Sequence, residues 1–244
     1  MPFVHGRSTG VLINATDFSA YLNESSASGE IDATETTTFG QGNKTYLVGL
    51  ADGKVSFSGL FDGGTNAQDQ LTATMRANAI STGVDVVTTY TPEGNVFGKR
   101  CTIAQGVLTS YEISGAVADV NEAKYEVQTD GGLDSGLILA AATSVSTATT
   151  TNGTAIDNAA SSASGATAVL HVTANANAGA TTFKVQHSVD NSVWVDLITF
   201  TSVTASTTSF QRGIAAGTVN RYLRAQATTA GAGNITYTIA AARR

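Results

Sequence analysis

The sequence predicts a mainly β fold: an N-terminal β-sandwich or barrel with one short helix, followed by a C-terminal β-sandwich of the Ig-like or jelly-roll-like type. Charged residues make up only 13% of the chain, proline occurs twice, and small and β-branched residues are abundant. Such a composition favours strands and tight turns over long helices. Short segments also alternate apolar and polar residues, as half-buried strands do. The length of 244 residues fits two domains.

The first elements predicted are a hairpin and a long polar segment. Residues 11–13 and 18–22 are apolar and are separated by Asn14 and Asp17, which support turns. Residues 23–46 are rich in Ser, Thr and Gly and contain several carboxylates. They are expected to form a long exposed loop or an extended hairpin arm.

One strand and the only helix follow. Residues 54–61 alternate apolar and polar side chains and predict a half-buried strand. After two glycines, Asn66 can cap a helix and Asp69 suits its first turn. The helix is expected to pack a narrow stripe at fourfold spacing, made of Ala67, Leu71, Met75 and Ala79.

The rest of the first half predicts more strands. Residues 84–91 are β-branched, and residues 96–103 and 107–113 are interpreted as a strand pair that turns near Gly106. Residues 122–128 alternate strictly, with Glu122 and Glu126 on the polar side. That polar side must meet water, another subunit or a channel.

A glycine-rich segment, residues 131–136, is interpreted as a linker between domains at residues 1–136 and 137–244. Residues 141–166 are nearly all small and polar, which fits disorder or weak strands, and strands are favoured. Clearer strand patterns then indicate a β-sandwich; they cover residues 168–174, 181–188, 193–199, 207–210, 222–227 and 234–239.

The formal charge is unevenly distributed along the chain. The total is −6, with −9 in residues 1–136 and +3 in residues 137–244. An acidic first half excludes an ordinary nucleic-acid binder, because such binding needs clustered Lys and Arg. It does not exclude a protein that encloses nucleic acid without gripping it.

The residues of common active sites are scarce, so the chain is not expected to be an enzyme. Cys101 is the only cysteine, and His5, His171 and His187 are the only histidines. We therefore expect no catalytic, cofactor-binding or metal-binding residues and no cofactor. Lys99 and Arg100 can lower the pKa of Cys101, although a half-buried, inert thiol is the commoner case. The sequence shows neither a secretory signal nor a membrane span, and we expect synthesis in a cytosol.

The segment FGQGNKTYLVGLADGKVSFSGLFDGG, residues 39–64, resembles the tail tube (major tail) proteins of long-tailed, siphophage-like bacteriophages. The likeness extends loosely over residues 1–130, and the C-terminal domain resembles sandwich modules of virion proteins. The resemblance implies a tail-tube-type domain whose copies form hexameric rings. Stacked rings would form a tube that conducts phage DNA during ejection, in a virion made in the bacterial host cytoplasm.

The resemblance also implies partners and sites. The expected partners are other copies of the chain, the tape measure, tail terminator and distal tail proteins, and passing double-stranded DNA that is not bound specifically. Asp32, Glu35, Glu122 and Glu126 are expected to face the channel or the seam between rings.

Trp194 has two interpretations, as the large residue of the sandwich core or as an outer-surface contact for host glycans. The second interpretation supports an alternative function for the whole chain, a capsid or tail decoration protein or a receptor-binding, carbohydrate-binding module.

Overall fold

A computed structural model describes residues 6–64, 67–82 and 86–244, without the side chains of residues 78, 79, 81 and 82. His5, the predicted cap Asn66, the side chain of Ala79 and the start of the predicted strand at residues 84–85 lie outside the described part.

The fold is mainly β, as predicted. In the described residues it contains a short 3-10 turn, Gly6–Ser8, one α-helix, α1 (Gln68–Thr82), and sixteen strands. The strands are β1 (Gly10–Ile13), β2 (Thr16–Asp17), β3 (Leu22–Glu35), β4 (Tyr46–Leu60), β5 (Val86–Thr91), β6 (Arg100–Ser114), β7 (Glu122–Thr129), β8 (Asp134–Val145), β9 (Thr150–Asn152), β10 (Ile156–Asp157), β11 (Ala166–Asn175), β12 (Thr181–Ser188), β13 (Val195–Thr199), β14 (Ser209–Ala215), β15 (Tyr222–Thr229) and β16 (Ile235–Arg243).

The chain forms two compact units that are interleaved along the sequence. Unit 1 contains residues 6–20, Val87–Ile103 and Asp134–Arg244, and unit 2 contains Tyr21–Val86 and Ala104–Leu133. These contact units differ from the predicted domains 1–136 and 137–244, whose boundary stays a prediction about independent folding.

The predicted linker at residues 131–136 is not a free linker. Gly131 and Gly132 take positive φ angles, 84° and 80°, in a tight turn. Strand β8 begins directly afterwards, and its residue Gly136 pairs with Cys101 of β6. The glycines therefore turn the chain into a strand pair instead of separating two bodies.

Unit 1 is a β-sandwich. One sheet has the order β2-β1-β5-β6-β8-β16-β11-β14, and the other has the order β10-β15-β12-β13 with β9 paired to β15. Buried apolar side chains from both sheets form one core. Within it, the rings of Phe183 and Tyr237 lie 4.6 Å apart. The prediction of a sandwich from strands after residue 166 is confirmed, and residues 141–166 do contribute strands.

A buried histidine in unit 1 forms hydrogen bonds to two segments that are distant from it in sequence. His171 on β11 is fully buried, and its Nδ1 donates to the backbone oxygen of Asn14 at 2.5 Å. Its Nε2 accepts from the Thr89 hydroxyl at 2.8 Å. Asn14 lies in the turn between β1 and β2 with a φ of 52°.

The first hairpin is shorter than predicted. Residues 18–21 do not form a strand, although Phe18 is fully buried.

Unit 2 is a four-stranded sheet, ordered β3-β4-β7-β6, together with α1. The predicted turn at Gly106 is wrong, because β6 runs straight through it. A Cβ atom at Gly106 would lie 1.9 Å from the Gln128 backbone oxygen. The glycine therefore permits a close approach of β7 and does not mark a turn.

The predicted helix stripe is only partly buried: Ala67 is buried as predicted, but the fully buried helix residues lie beside the stripe. Gln68 and Thr72 are fully buried, whereas Leu71 and Met75 are only half-buried. The Thr72 hydroxyl donates to the Gln68 backbone oxygen at 2.8 Å, which removes one cost of burying it.

Candidate functional site

The sheet of unit 2 has one polar face, which we call the serine face. Residues that oppose each other in antiparallel strands point to the same side. One row across the sheet is Ser26, Ser56, Glu126 and Ser110, and the next is Glu24, Ser58, Lys124 and Glu112. These side chains surround a shallow depression of about 320 Å³. Small hydroxyl groups thus make up much of an open, flat surface.

The opposite face of this sheet is apolar, and its aromatic side chains pack against one another. The rings of Phe57 and Tyr125 lie 5.0 Å apart, and those of Tyr111 and Tyr125 lie 5.2 Å apart. The Tyr111 hydroxyl donates to Asp69 at the start of α1. Burial raises the pKa of Tyr125 to about 12. The helix therefore supports the sheet from behind, which leaves the serine face free to meet solvent or a ligand.

The serine face is acidic. By strand register it carries six carboxylates and two lysines, a formal charge of −4; these residues are Glu24, Glu30, Asp52, Glu112, Glu122, Glu126, Lys54 and Lys124. The Lys54 ammonium lies 2.5 Å from Glu126, and the Gln128 amide donates to Asp52 at 2.5 Å. Such a surface repels a phosphate backbone at short range.

The second feature of unit 2 is an exposed hairpin arm, residues 30–51, at the distal end of β3 and β4. The extended hairpin is the correct one of the two predicted alternatives. The arm carries large apolar side chains in water: Leu50 is 81% exposed and Val48 71%. Phe39 at the tip is fully exposed. Contiguous exposed apolar side chains on a strand pair are typical of an interaction surface.

The tip of this arm is held by its own hydrogen bonds. The backbone N–H of Thr36 donates to Thr45 at 2.8 Å, and the side chain of Gln41 accepts from the Thr38 N–H at 3.1 Å. The Lys44 ammonium lies 2.9 Å from Glu35 and lowers the pKa of that carboxyl. The arm is therefore a formed element that presents its apolar side chains in a defined arrangement.

The predicted acidic residues fall into two places. Glu122 and Glu126 lie together on the serine face. Asp32 lies in the arm at a bulge opposite Gly49, and Glu35 faces Tyr46 near the tip. Their role at a channel or seam stays a prediction. Sequence reasoning missed Glu24 and Glu112, although Glu112 belongs to a predicted strand, because register with the neighbouring strands was not readable.

Trp194 does not lie in the sandwich core. It is half-buried just before β13, and the guanidinium carbon of Arg224 lies 4.1 Å from its ring centre. Arg224 also donates to Gln186 at 2.8 and 2.9 Å. One face of the indole is therefore occupied by a fixed cation. A sugar would need the other face or the exposed Val193 and Val195 beside it.

The remaining candidate residues are either partly or fully buried, or lie apart from other potential metal-binding or catalytic side chains among the described residues. Burial raises the pKa of the Cys101 thiol to about 12, the opposite of the lowering that its basic neighbours can produce. His187 accepts from the Asn220 N–H at 3.2 Å, and burial lowers its pKa. In the described residues no group of three or more His, Cys, Asp or Glu is placed to hold a metal. No described helix is long and apolar enough to cross a membrane.

Comparison with known proteins returns structures but no sequence family. No family model and no curated protein matches the chain. Among solved structures, a chain from the virion of a native gene transfer agent particle is 14% identical with a TM-score of 0.41, over 54% of this chain and 97% of its own. The SPP1 tail tube is 12% identical with a TM-score of 0.42, over 54% and 78%.

A third neighbour is the SPP1 Dit protein, described as a hub of the adsorption apparatus in phages that infect Gram-positive bacteria. It is 13% identical with a TM-score of 0.37, over 94% of this chain and 98% of its own. These three structures come from a gene transfer agent virion, a phage tail tube and a phage adsorption hub.

Proposed function

We propose that this chain is a structural, non-enzymatic subunit of a phage tail that assembles with copies of itself into rings and a tube. The serine face would line the channel through which double-stranded DNA passes. The observation that carries the proposal is the contrast between the two sides of the unit 2 sheet. One side is packed by aromatic rings and α1, and the other is open, acidic and rich in serine.

The chemistry of the serine face suits a conduit better than a binding site. A sliding duplex needs a wall that does not hold its phosphates, and binding requires clustered cations. Lys54 is already engaged with Glu126, so the face has little free positive charge to offer. Serine hydroxyls keep the wall wetted without large side chains that would narrow a channel.

The arm supports self-assembly. Its apolar side chains have no cover within the described part of the chain, and burying them against another copy removes this area from water. Residues such as Leu47 and Val48, 65% and 71% exposed, lie on a strand pair whose outer edges can also add strands. Partners among other tail proteins, a place in the virion and hexameric symmetry are part of the same proposal.

Electron microscopy of the purified full chain in negative stain, over a series of concentrations, tests the proposal. Rings or tubes with a central hole, growing more numerous with concentration, are the expected result. A protein that stays monomeric at every concentration, with and without molecular crowding, would contradict it.

A second candidate, a decoration or receptor-binding module, is favoured only by the half-exposed Trp194. A glycan array with the wild-type chain and Trp194→Ala separates the two functions. Glycan binding that disappears in the variant would support the module, whereas a tube subunit needs no glycan affinity.

A further inference from the structure

Unit 1 contains a cleft of about 180 Å³ that combines two arginines with an apolar floor. Arg100, the first residue of β6, and Arg243, the last residue of β16, line it. The floor is formed by Leu137, Leu139, Ile156 and Leu223. A cleft of this kind suits a ligand that carries both a negative charge and an apolar group.

Within the described part of the chain, neither guanidinium group has a carboxylate partner. Arg243 donates to the Ser162 hydroxyl at 3.1 Å and to the Val219 backbone oxygen at 3.0 Å, both neutral acceptors. Among the ion pairs of the described residues none includes Arg100, whereas Arg221 and Arg244 each face an aspartate. An anion entering the cleft would therefore gain charge-assisted hydrogen bonds that no part of the cleft now supplies.

The arm of unit 2 carries the complementary groups. Glu30 and Asp32 flank Ile31, which is 62% exposed. Neither carboxylate belongs to an ion pair among the described residues, whereas Glu35 is already paired with Lys44. Free negative charge and an exposed apolar side chain thus occur within three consecutive residues.

We infer that the arginine cleft of one copy receives the Glu30–Ile31–Asp32 segment from the arm of a second copy. The Asp32 carboxylate would lie on Arg100 and Arg243, and Glu30, on the same side of β3 because side chains alternate along a strand, would add negative charge beside it. This inference rests on the proposed self-assembly and specifies one of its contacts. Because the cleft and the segment are different surfaces, the contact is head-to-tail and can propagate through a ring or a tube.

A charge exchange tests the contact in the full-length chain. Arg100→Glu places like charges together and should raise the protein concentration needed for assembly by about tenfold or more. Combining it with Glu30→Arg or with Asp32→Arg restores an opposite-charge pair, so at least one double variant should assemble close to the wild-type concentration. Assembly would be measured by sedimentation velocity and by negative-stain microscopy.

Lys99→Glu is the matched control, because it changes the net charge equally, lies next to Arg100 and pairs with Glu93 outside the cleft. It should assemble like the wild type. Normal assembly of Arg100→Glu would overturn the inference. So would a loss of assembly that neither double variant reverses.

Cross-linking separates this inference from the proposed tube. Arg100→Cys and Asp32→Cys, each in a Cys101→Ala background, are mixed under mild oxidation. A covalent dimer that needs both variants supports the contact. If that dimer forms but no tubes do, the contact stands and only the tube proposal is contradicted. If tubes form, no such dimer appears and Arg100→Glu assembles normally, the contact is contradicted and the tube proposal stands.

Discussion

The Nδ1 atom of His171 lies 2.5 Å from the backbone oxygen of Asn14, although the two residues are 157 positions apart. The same ring accepts a hydrogen bond from Thr89. One fully buried side chain therefore joins β11 to the turn after β1 and to β5. Because both ring nitrogens are used by a neutral imidazole, protonation would break the acceptor side of this link.

We expect the stability of unit 1 to fall in acid through this histidine. Burial lowers the pKa of His171 to about 4, whereas an unfolded chain has the ordinary value. As pH falls below 6.5 the unfolded state takes up a proton that the folded state refuses, and the loss levels off near pH 4 at about 3 kcal/mol. Urea unfolding from pH 7 to 4 would measure it.

His171→Gln should be less stable at pH 7 and should lose much of this pH dependence, while His187→Gln serves as the control. Equal slopes of the unfolding free energy with pH in wild type and His171→Gln would contradict the assignment.

Gly106→Ala should destabilise unit 2, because the new methyl group would lie 1.9 Å from the Gln128 backbone oxygen. Overpacking of this kind costs roughly 1–3 kcal/mol. Gly42→Ala in the arm is the control, since nothing lies within 4 Å of a Cβ there. Denaturant unfolding of both variants would measure the effect, and an equal midpoint for the two would show that the strands separate easily at Gly106.

Reversing charge on the serine face should create affinity for DNA. Glu112→Lys with Glu122→Lys turns two carboxylates of the face into cations, and assembled particles should then bind double-stranded DNA with an affinity that falls steeply as salt rises. Asp119→Lys with Asp130→Lys changes the net charge equally outside the face. Gel shifts over a salt series make the comparison, and equal binding by the two pairs would mean that the face has no special access to DNA.

A fragment of residues 1–136 should fail to form a compact unit 1. It lacks β11, β16 and all of β8 after Gly136, and so loses His171 and most of the sheet that would flank β6. The sequence alone favours the opposite result, an N-terminal domain that assembles by itself. Hydrogen exchange on the fragment would decide, because lasting amide protection in β1 and β5 is not expected without those partners.

Cys101 should be inert in the folded chain. It is 2% exposed, and burial raises its pKa to about 12, so little thiolate forms at neutral pH. A thiol reagent should label it slowly at pH 8 and rapidly in denaturant. Fast labelling without denaturant would indicate local opening at the start of β6.

The sequence predicted features that depend on neighbours along the chain. The alternation at residues 122–128 separated Glu122 and Glu126 from Tyr125 and placed both glutamates correctly on one face. Local signals could not reveal contacts between distant residues. The pairing of Cys101 with Gly136 and the bond from His171 to Asn14 both join segments that carry no mutual signature.

Some individual residue types, such as Gly and Trp, are compatible with more than one structural role in the sequence alone. Gly106 has the composition of a turn but serves a close strand approach. Trp194 has the size of a core residue but lies half-buried against Arg224. Asp32 lies at a register shift between Ile31 and Ala33, which no sequence pattern marks.

Because the two units are interleaved along the chain, they can fold in a fixed order during synthesis. The last segment of unit 2 ends at Leu133, so this unit can close while the ribosome is still translating. Unit 1 must wait for β16, which ends at Arg243. At elongation rates of about 5–20 residues per second, that wait is roughly 5–20 s. A newly made chain therefore completes the sheet and arm of unit 2 before its arginine cleft forms, which delays any contact that needs both.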